Sequence, residues 1–64
     1  MIIKVDPHSG RLITHINNKI ATAKRTGDEY QVEGLEQILA AVEAAASIGA
    51  DEIRFENEEI GFLL

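Results

Sequence analysis

Residues 11–25 read RLITHINNKIATAKR, and the fold depends on the structure of this stretch. Leu12, Ile16 and Ile20 have the spacing of one face of an α-helix. Many of the neighbouring residues are β-branched isoleucines and threonines, which favour a strand. The stretch therefore fits a helix by its period and a strand by its composition.

The asparagine pair at 17–18 favours the strand interpretation, because asparagine is a poor residue for a helix interior and tolerates a tight hairpin turn. We therefore predict a strand over 11–16, a turn at 17–18 and a strand over 19–25. A helix over 11–24 is the alternative.

On the N-terminal side, residues 5–11 read VDPHSGR, which is typical of a turn. Aspartate caps such a turn, proline presets φ, and Gly10 supplies the positive φ that closes it. Ile2 and Ile3 precede this turn. The pattern predicts a β-hairpin between this first strand and the strand over 11–16.

On the C-terminal side, residues 34–48 have apolar side chains at three- and four-residue steps, which predicts an amphipathic helix. Gly49 follows where a left-handed residue commonly ends a helix. Before the helix, Thr26-Gly27-Asp28-Glu29 is typical of a turn. Residues 30–32 are expected to form a short strand or an extended lead into the helix.

The last part of the chain alternates apolar and polar residues, as a half-buried strand does. We predict a strand over 51–56, a turn at 57–59 and a last strand over 60–64. Together these elements predict a single domain over residues 1–64 of the α+β class. It would be a small two-layer domain of order ββ(β)αββ, an antiparallel or mixed sheet with one helix on one face.

Length and composition limit how such a domain is stabilised. The chain has 64 residues, no cysteine and a net charge of −5. A domain of this size has a marginal core, and without cysteines it has neither disulfides nor thiolate metal sites. A second copy of the chain, or another protein, is therefore the expected source of further burial. No apolar run is long enough to span a membrane and no secretory signal is visible, so we expect a cytoplasmic protein.

Charge is distributed unevenly along the chain. Residues 1–27 have a balance of +4 and residues 28–64 a balance of −9. Such asymmetry between halves indicates interaction, either between the two halves or with a partner.

The chemistry-bearing residues do not predict a catalytic or metal site. Asp6, His8 and His15 are the candidate set, but no two of them have ligand spacing on one element. Ser9 lies in a turn, where a hydroxyl commonly bonds nearby backbone. The five glycines are isolated, so no phosphate-binding loop exists. We expect no enzyme activity, no metal and no cofactor.

Two charged surfaces and one uncharged surface are candidate interaction sites. Lys19, Lys24 and Arg25 form a possible basic face on the predicted strands, with few aromatic residues to stack on bases. An acidic partner face, suited to a basic protein, consists of Glu52, Glu56, Glu58 and Glu59. The side of the predicted helix away from its apolar stripe, here called the outer face, consists of Gln37, Ala40, Ala41, Ala44 and Ile48.

The outer face is the expected self-association surface, together with Leu63 on the last strand, because both add apolar surface that the domain itself does not bury. The sequence thus predicts a non-catalytic interaction or regulatory protein, a homodimer of the type found among short bacterial or phage accessory proteins. One alternative is a nucleic-acid binder using the basic N-terminal strands. The other is a small ligand-binding or enzymatic oligomer with His8 and His15 at an interface.

Overall fold

The computed structural model describes residues 1–6, 10–56 and 60–64. Its elements are, in chain order, β1 (Ile2–Lys4), α1 (Arg11–Thr26), α2 (Glu29–Ser47), β2 (Glu52–Arg54) and α3 (Ile60–Leu63). α1 and α2 pack against each other as a helical hairpin, and β1 pairs with β2 as a two-stranded antiparallel ribbon. The predicted α+β fold of order ββ(β)αββ is therefore wrong, because the described residues form three helices and only this small sheet.

α1 covers residues 11–25, the stretch whose sequence fits both a helix and a strand. The predicted strands over 11–16 and 19–25 and the turn at 17–18 are wrong, and the alternative of a helix over 11–24 is confirmed. The predicted N-terminal β-hairpin is wrong for the same reason, since its second strand does not exist.

Burial explains why the helix is formed. Ile16, Ile20 and Ala23 are buried in the core, whereas Asn17 and Asn18 are exposed. Burying an isoleucine side chain contributes about 1.5–3 kcal/mol. A β-branched residue in a helix costs only about 0.5 kcal/mol relative to alanine. Packing of the apolar stripe therefore outweighs the local preference for a strand.

Two glycines bound α1. Gly10 has a φ of 67° at its start and Gly27 a φ of 75° at its end, values that glycine adopts without strain. The positive φ predicted at Gly10 is confirmed, but it begins a helix instead of closing a hairpin. Residues 7–9 of the predicted turn lie outside the described residues.

The helix predicted over 34–48 is confirmed as the main part of α2, which begins earlier than expected. The carboxylate of Asp28 accepts a hydrogen bond of 3.1 Å from the backbone N–H of Gln31, a typical N-terminal cap. Residues 30–32 are therefore helical, and the short strand or extended lead predicted there is wrong. At the other end, Gly49 has the predicted positive φ, 73°.

The ribbon pairs the segment that precedes α1 with the segment that follows α2. Ile3 lies opposite Ile53, and the pairing continues through hydrogen bonds of 2.8 Å from Val5 N–H to the Asp51 carbonyl and from Phe55 N–H to the Met1 carbonyl. The strand predicted over 51–56 is confirmed only over Glu52–Arg54, as β2, and its partner is the first strand of the chain.

α3 replaces the last strand predicted over 60–64, which is wrong, and the turn predicted at 57–59 lies outside the described residues. α3 packs on α2, with the Leu63 side chain over Gly34. The carbonyl oxygen of Leu64 lies 3.1 Å from Nε2 of His15 on α1. The C-terminal residues thus contact both long helices.

The core lies between α1 and α2 and is closed at one end by β1. Its buried side chains are Ile3, Val5, Ile16, Ile20, Ala23, Leu35, Ile38, Val42 and Ala45. None of the buried side chains in the described ranges is polar.

Candidate interaction surface

The three residues considered for metal binding or catalysis are not brought together. Asp6 and His15 are exposed, and His8 lies outside the described residues. The Nε2 atom of His15 faces the Leu64 carbonyl of its own chain. Across residues 1–6, 10–56 and 60–64, no group of three histidine or acidic side chains could hold a metal ion.

Two open grooves flank the helical hairpin. One, of about 360 Å³, is lined by His15, Asn18, Lys19, Thr22 and Gln31. The other, of about 330 Å³, lies at the turn between the helices and is lined by Ala23, Lys24, Gly27, Asp28, Glu29, Val32, Glu33 and Glu36. Their polar side chains are exposed or half-buried, so neither groove excludes water as an enclosed site would.

The residues of the predicted basic face lie on different sides of α1. Lys19, Lys24 and Arg25 are all exposed on α1, where a helix turns by about 100° per residue and separates Lys19 from Arg25 by about 120°. The Nζ atom of Lys24 lies 3.9 Å from a carboxylate oxygen of Glu36 on α2. Nη2 of Arg25 donates to the hydroxyl of Thr22 at 3.3 Å. The basic residues therefore do not form the single sheet face that the sequence predicted.

The predicted acidic partner face is only partly described. Glu52 and Glu56 are exposed, and Glu58 and Glu59 lie outside the described residues. Glu52 lies directly opposite Lys4 across the ribbon. Since opposite charges at such a position attract, Glu52 has a neighbour of opposite sign within its own chain.

The outer face of α2 lies on the surface, as the helical periodicity predicted. Gln37, Ala40 and Ala44 are exposed, Ala41 is half-buried, and Ile48 at the end of the helix is 81% exposed. These residues form an uncharged strip on the exposed side of α2, next to the exposed Glu36 and Glu43.

Leu63 differs from the other residues predicted for self-association. It is half-buried, and its Cδ1 atom lies 2.5 Å from the place where a Cβ of residue 34 would stand. Its side chain therefore packs against α2 of its own chain, which leaves it less surface for another.

Two exposed aromatic residues were missed by the sequence analysis. Phe62 on α3 is 91% exposed, and Tyr30 in the first turn of α2 is 68% exposed. Tyr30 lies seven residues before Gln37 and fourteen before Ala44, so it extends the outer face toward the start of α2. That spacing is visible in the sequence, but it has meaning only once residues 30–32 are known to be helical.

No protein family, curated protein or solved structure matches this chain. Among the described residues, the helices lack the combination of length and apolarity needed to cross a bilayer. The function is therefore proposed from the surface of the chain itself.

Proposed function

We propose that this chain is a non-catalytic, cytoplasmic interaction protein that acts as a homodimer through the outer face of α2. The observation that carries the proposal is the uncharged surface formed by the residues of the outer face, which ends in Ile48, 81% exposed. The exposed glutamates of α2 lie beside these residues, so the uncharged surface is a strip along one flank of the exposed side of the helix.

The small core supports the same proposal. A chain of 64 residues buries only about 60% of the surface of its unfolded form, so its own core gives marginal stability. In the described residues the buried side chains come from one helix–helix interface and from Ile3 and Val5, in and directly after β1. A second copy packed on α2 would bury additional apolar surface and stabilise both chains.

The side chains of the outer face also permit close contact. Ala40 and Ala44 lie one turn apart and are both exposed. Small residues at such positions allow two helix axes to approach to about 8 Å, the lower end of the usual range. A contact along about three turns buries less than a standard interface of about 1,600 Å², so we expect micromolar association.

Glu52 and Glu56 of the acidic partner face are exposed in the chain and lie outside the outer face of α2. A basic protein is the partner that its carboxylates would attract, with Glu52 and Glu56 as the described contacts.

Sedimentation velocity tests self-association. The wild-type chain should form a dimer at concentrations from about 10 to 500 μM, in the micromolar range stated above. Ala44→Glu should be monomeric over the same range, because it places a charge in the middle of the outer face. The matched control is Ala21→Glu, an exposed alanine on α1, which should remain dimeric. A monomeric wild-type protein, or an Ala44→Glu variant that still dimerises, would contradict the proposal.

Nucleic-acid binding is the second candidate, and the composition of α1 favours it. α1 contains Arg11, Lys19, Lys24 and Arg25 and no acidic residue, whereas α2 contains four glutamates and no basic residue. A binder that uses α1 must lose affinity for duplex DNA steeply as salt increases. Lack of binding at low salt would exclude this candidate.

A further inference from the structure

Three of the four acids of α2 lie along one edge of its outer face. Glu29, Glu36 and Glu43 are exposed and recur at intervals of seven residues. Seven residues rotate an α-helix by about 20° less than two full turns, so all three lie on the same side. We call this side of α2 the acidic edge.

The other side of the outer face carries no charge. Gly34, Ala41 and Ile48 also recur every seven residues, on the side of the outer face away from the acidic edge. We call this side the neutral edge. Between the two edges lie Gln37, Ala40 and Ala44, which form the seam along which another helix can lie.

We infer that two copies of this chain associate with their α2 helices parallel, related by a twofold axis that runs along the helices. This inference rests on the proposed function. A twofold axis along the helices places the acidic edge of one copy against the neutral edge of the other. Edge residues of this kind set the orientation of paired helices.

The antiparallel arrangement is disfavoured by charge. A twofold axis perpendicular to the helices places the same edge of both copies together, so that Glu36 and Glu43 of one copy face the acids of the second. α2 contains no lysine or arginine that could separate these carboxylates. Lys24 approaches Glu36 from α1, but at 3.9 Å and with both side chains more than half exposed it compensates little.

Two features limit where the parallel helices touch. Glu33 at the start of the seam would approach its own counterpart, and α3 stands beside the neutral edge with Leu63 over Gly34. Both features lie toward the N-terminal end of α2. The contact therefore runs from Gln37 to Ile48, and the helices diverge toward residue 33.

Disulfide cross-linking tests this orientation, and the absence of native cysteines leaves no background reaction. Gln37→Cys and Ala44→Cys are prepared as two separate proteins and oxidised. In a parallel pair each cysteine faces its own counterpart, so both variants cross-link with themselves. In an antiparallel pair at least one variant has its two cysteines more than about 10 Å apart along the axis, since seven residues rise 10.5 Å, beyond the reach of a disulfide.

The control variant is Ala21→Cys, an exposed position on α1, which should remain uncross-linked under the same conditions. Cross-linking of both α2 variants supports the parallel pair. Cross-linking of only one of the two variants with itself overturns the parallel pair. So does a disulfide that forms only between the two variants when they are mixed, with one variant enlarged so that the mixed product can be recognised by its size.

Sedimentation of the reduced variants separates this outcome from failure of the proposed function. Reduced variants that are dimeric but cross-link at neither residue 37 nor residue 44 would overturn the parallel pair and leave self-association standing. Monomeric wild-type protein would overturn both.

A second measurement does not depend on cysteines. The double variant Glu36→Gln/Glu43→Gln should change the dissociation constant of the dimer by less than about twofold, because these acids face uncharged surface in the parallel pair. A dimer strengthened about tenfold, with the gain abolished by high salt, would show that the acids oppose each other and would overturn the inference.

Discussion

The contact between Leu63 and Gly34 predicts that replacing Gly34 by alanine affects α2 and α3 in opposite directions. Alanine is about 1 kcal/mol better than glycine inside a helix, so the substitution by itself stabilises α2. The new methyl group would lie 2.5 Å from Cδ1 of Leu63, however, closer than two carbon atoms can stand. Leu63 must therefore move by about 1 Å and lose part of its packing.

The two effects are of similar size. Full burial of a leucine side chain contributes about 1.5–3 kcal/mol, and Leu63 is half-buried, so its displacement costs about 1 kcal/mol. We expect Gly34→Ala to leave the free energy of unfolding nearly unchanged in the wild-type chain. In a Leu63→Ala background the obstacle is absent, and the same substitution should stabilise by about 1 kcal/mol.

Urea unfolding followed by circular dichroism measures this coupling in a double-mutant cycle. The four proteins are compared at one concentration, because self-association would make stability concentration-dependent. Leu64→Ala is the matched control, since Leu64 is also half-buried but is not among the atoms near Gly34. Additivity of Gly34→Ala and Leu63→Ala within about 0.3 kcal/mol would refute the position of α3 on α2.

Two further predictions concern the helical hairpin. Asp28→Ala should lower the free energy of unfolding by about 1 kcal/mol, because it removes the cap on the N–H of Gln31, while Asp28→Asn should retain most of the stability. Equal losses in both variants would show that the cap does not act through its hydrogen bond. Ile38→Ala should cost about 2–5 kcal/mol, since Ile38 is fully buried, while Ala40→Gly, on the exposed side of α2, should cost about 1 kcal/mol. Similar losses of stability in Ile38→Ala and Ala40→Gly would contradict the placement of the core. The free energy of unfolding of all these variants is measured by urea unfolding.

The sequence predicted α2 and its faces because one physical signal dominates there. Its apolar side chains recur at helical steps, no β-branched run competes, and Gly49 ends the helix as expected. The residues assigned to the outer face therefore lie on the surface. Its first turn was missed because Asp28 was interpreted as part of a turn, whereas its side chain caps the helix.

α1 shows where two local signals conflict. The helical period of Ile16 and Ile20 and the strand preference of their β-branched neighbours are both present in the sequence. The burial of these isoleucines against α2 decides between them, and the sequence alone does not give the energy of that contact. The basic face was consequently predicted on strands that do not exist.

The ends of the chain depend on contacts between distant residues. β1 pairs with β2 from the other end of the chain, a partner that no local pattern indicates. The alternation of Ile60, Phe62 and Leu64 suggested a strand, but it covers too few residues to distinguish a strand from one helical turn. Packing of Leu63 over Gly34 determines the position of that turn.

The connection of the ribbon also has a consequence for the order of folding. α1 and α2 are joined by only Gly27 and Asp28, whereas β1 and β2 are separated by about fifty residues. Closing a flexible loop of that length costs about 3 kcal/mol in chain entropy, and the few hydrogen bonds of the ribbon cannot offset that cost early in folding. We therefore expect the helical hairpin, which needs only local contacts, to form first and to shorten the distance between the strands. On this argument the chain should fold from its middle outward, with the pairing of the two strands as the last step.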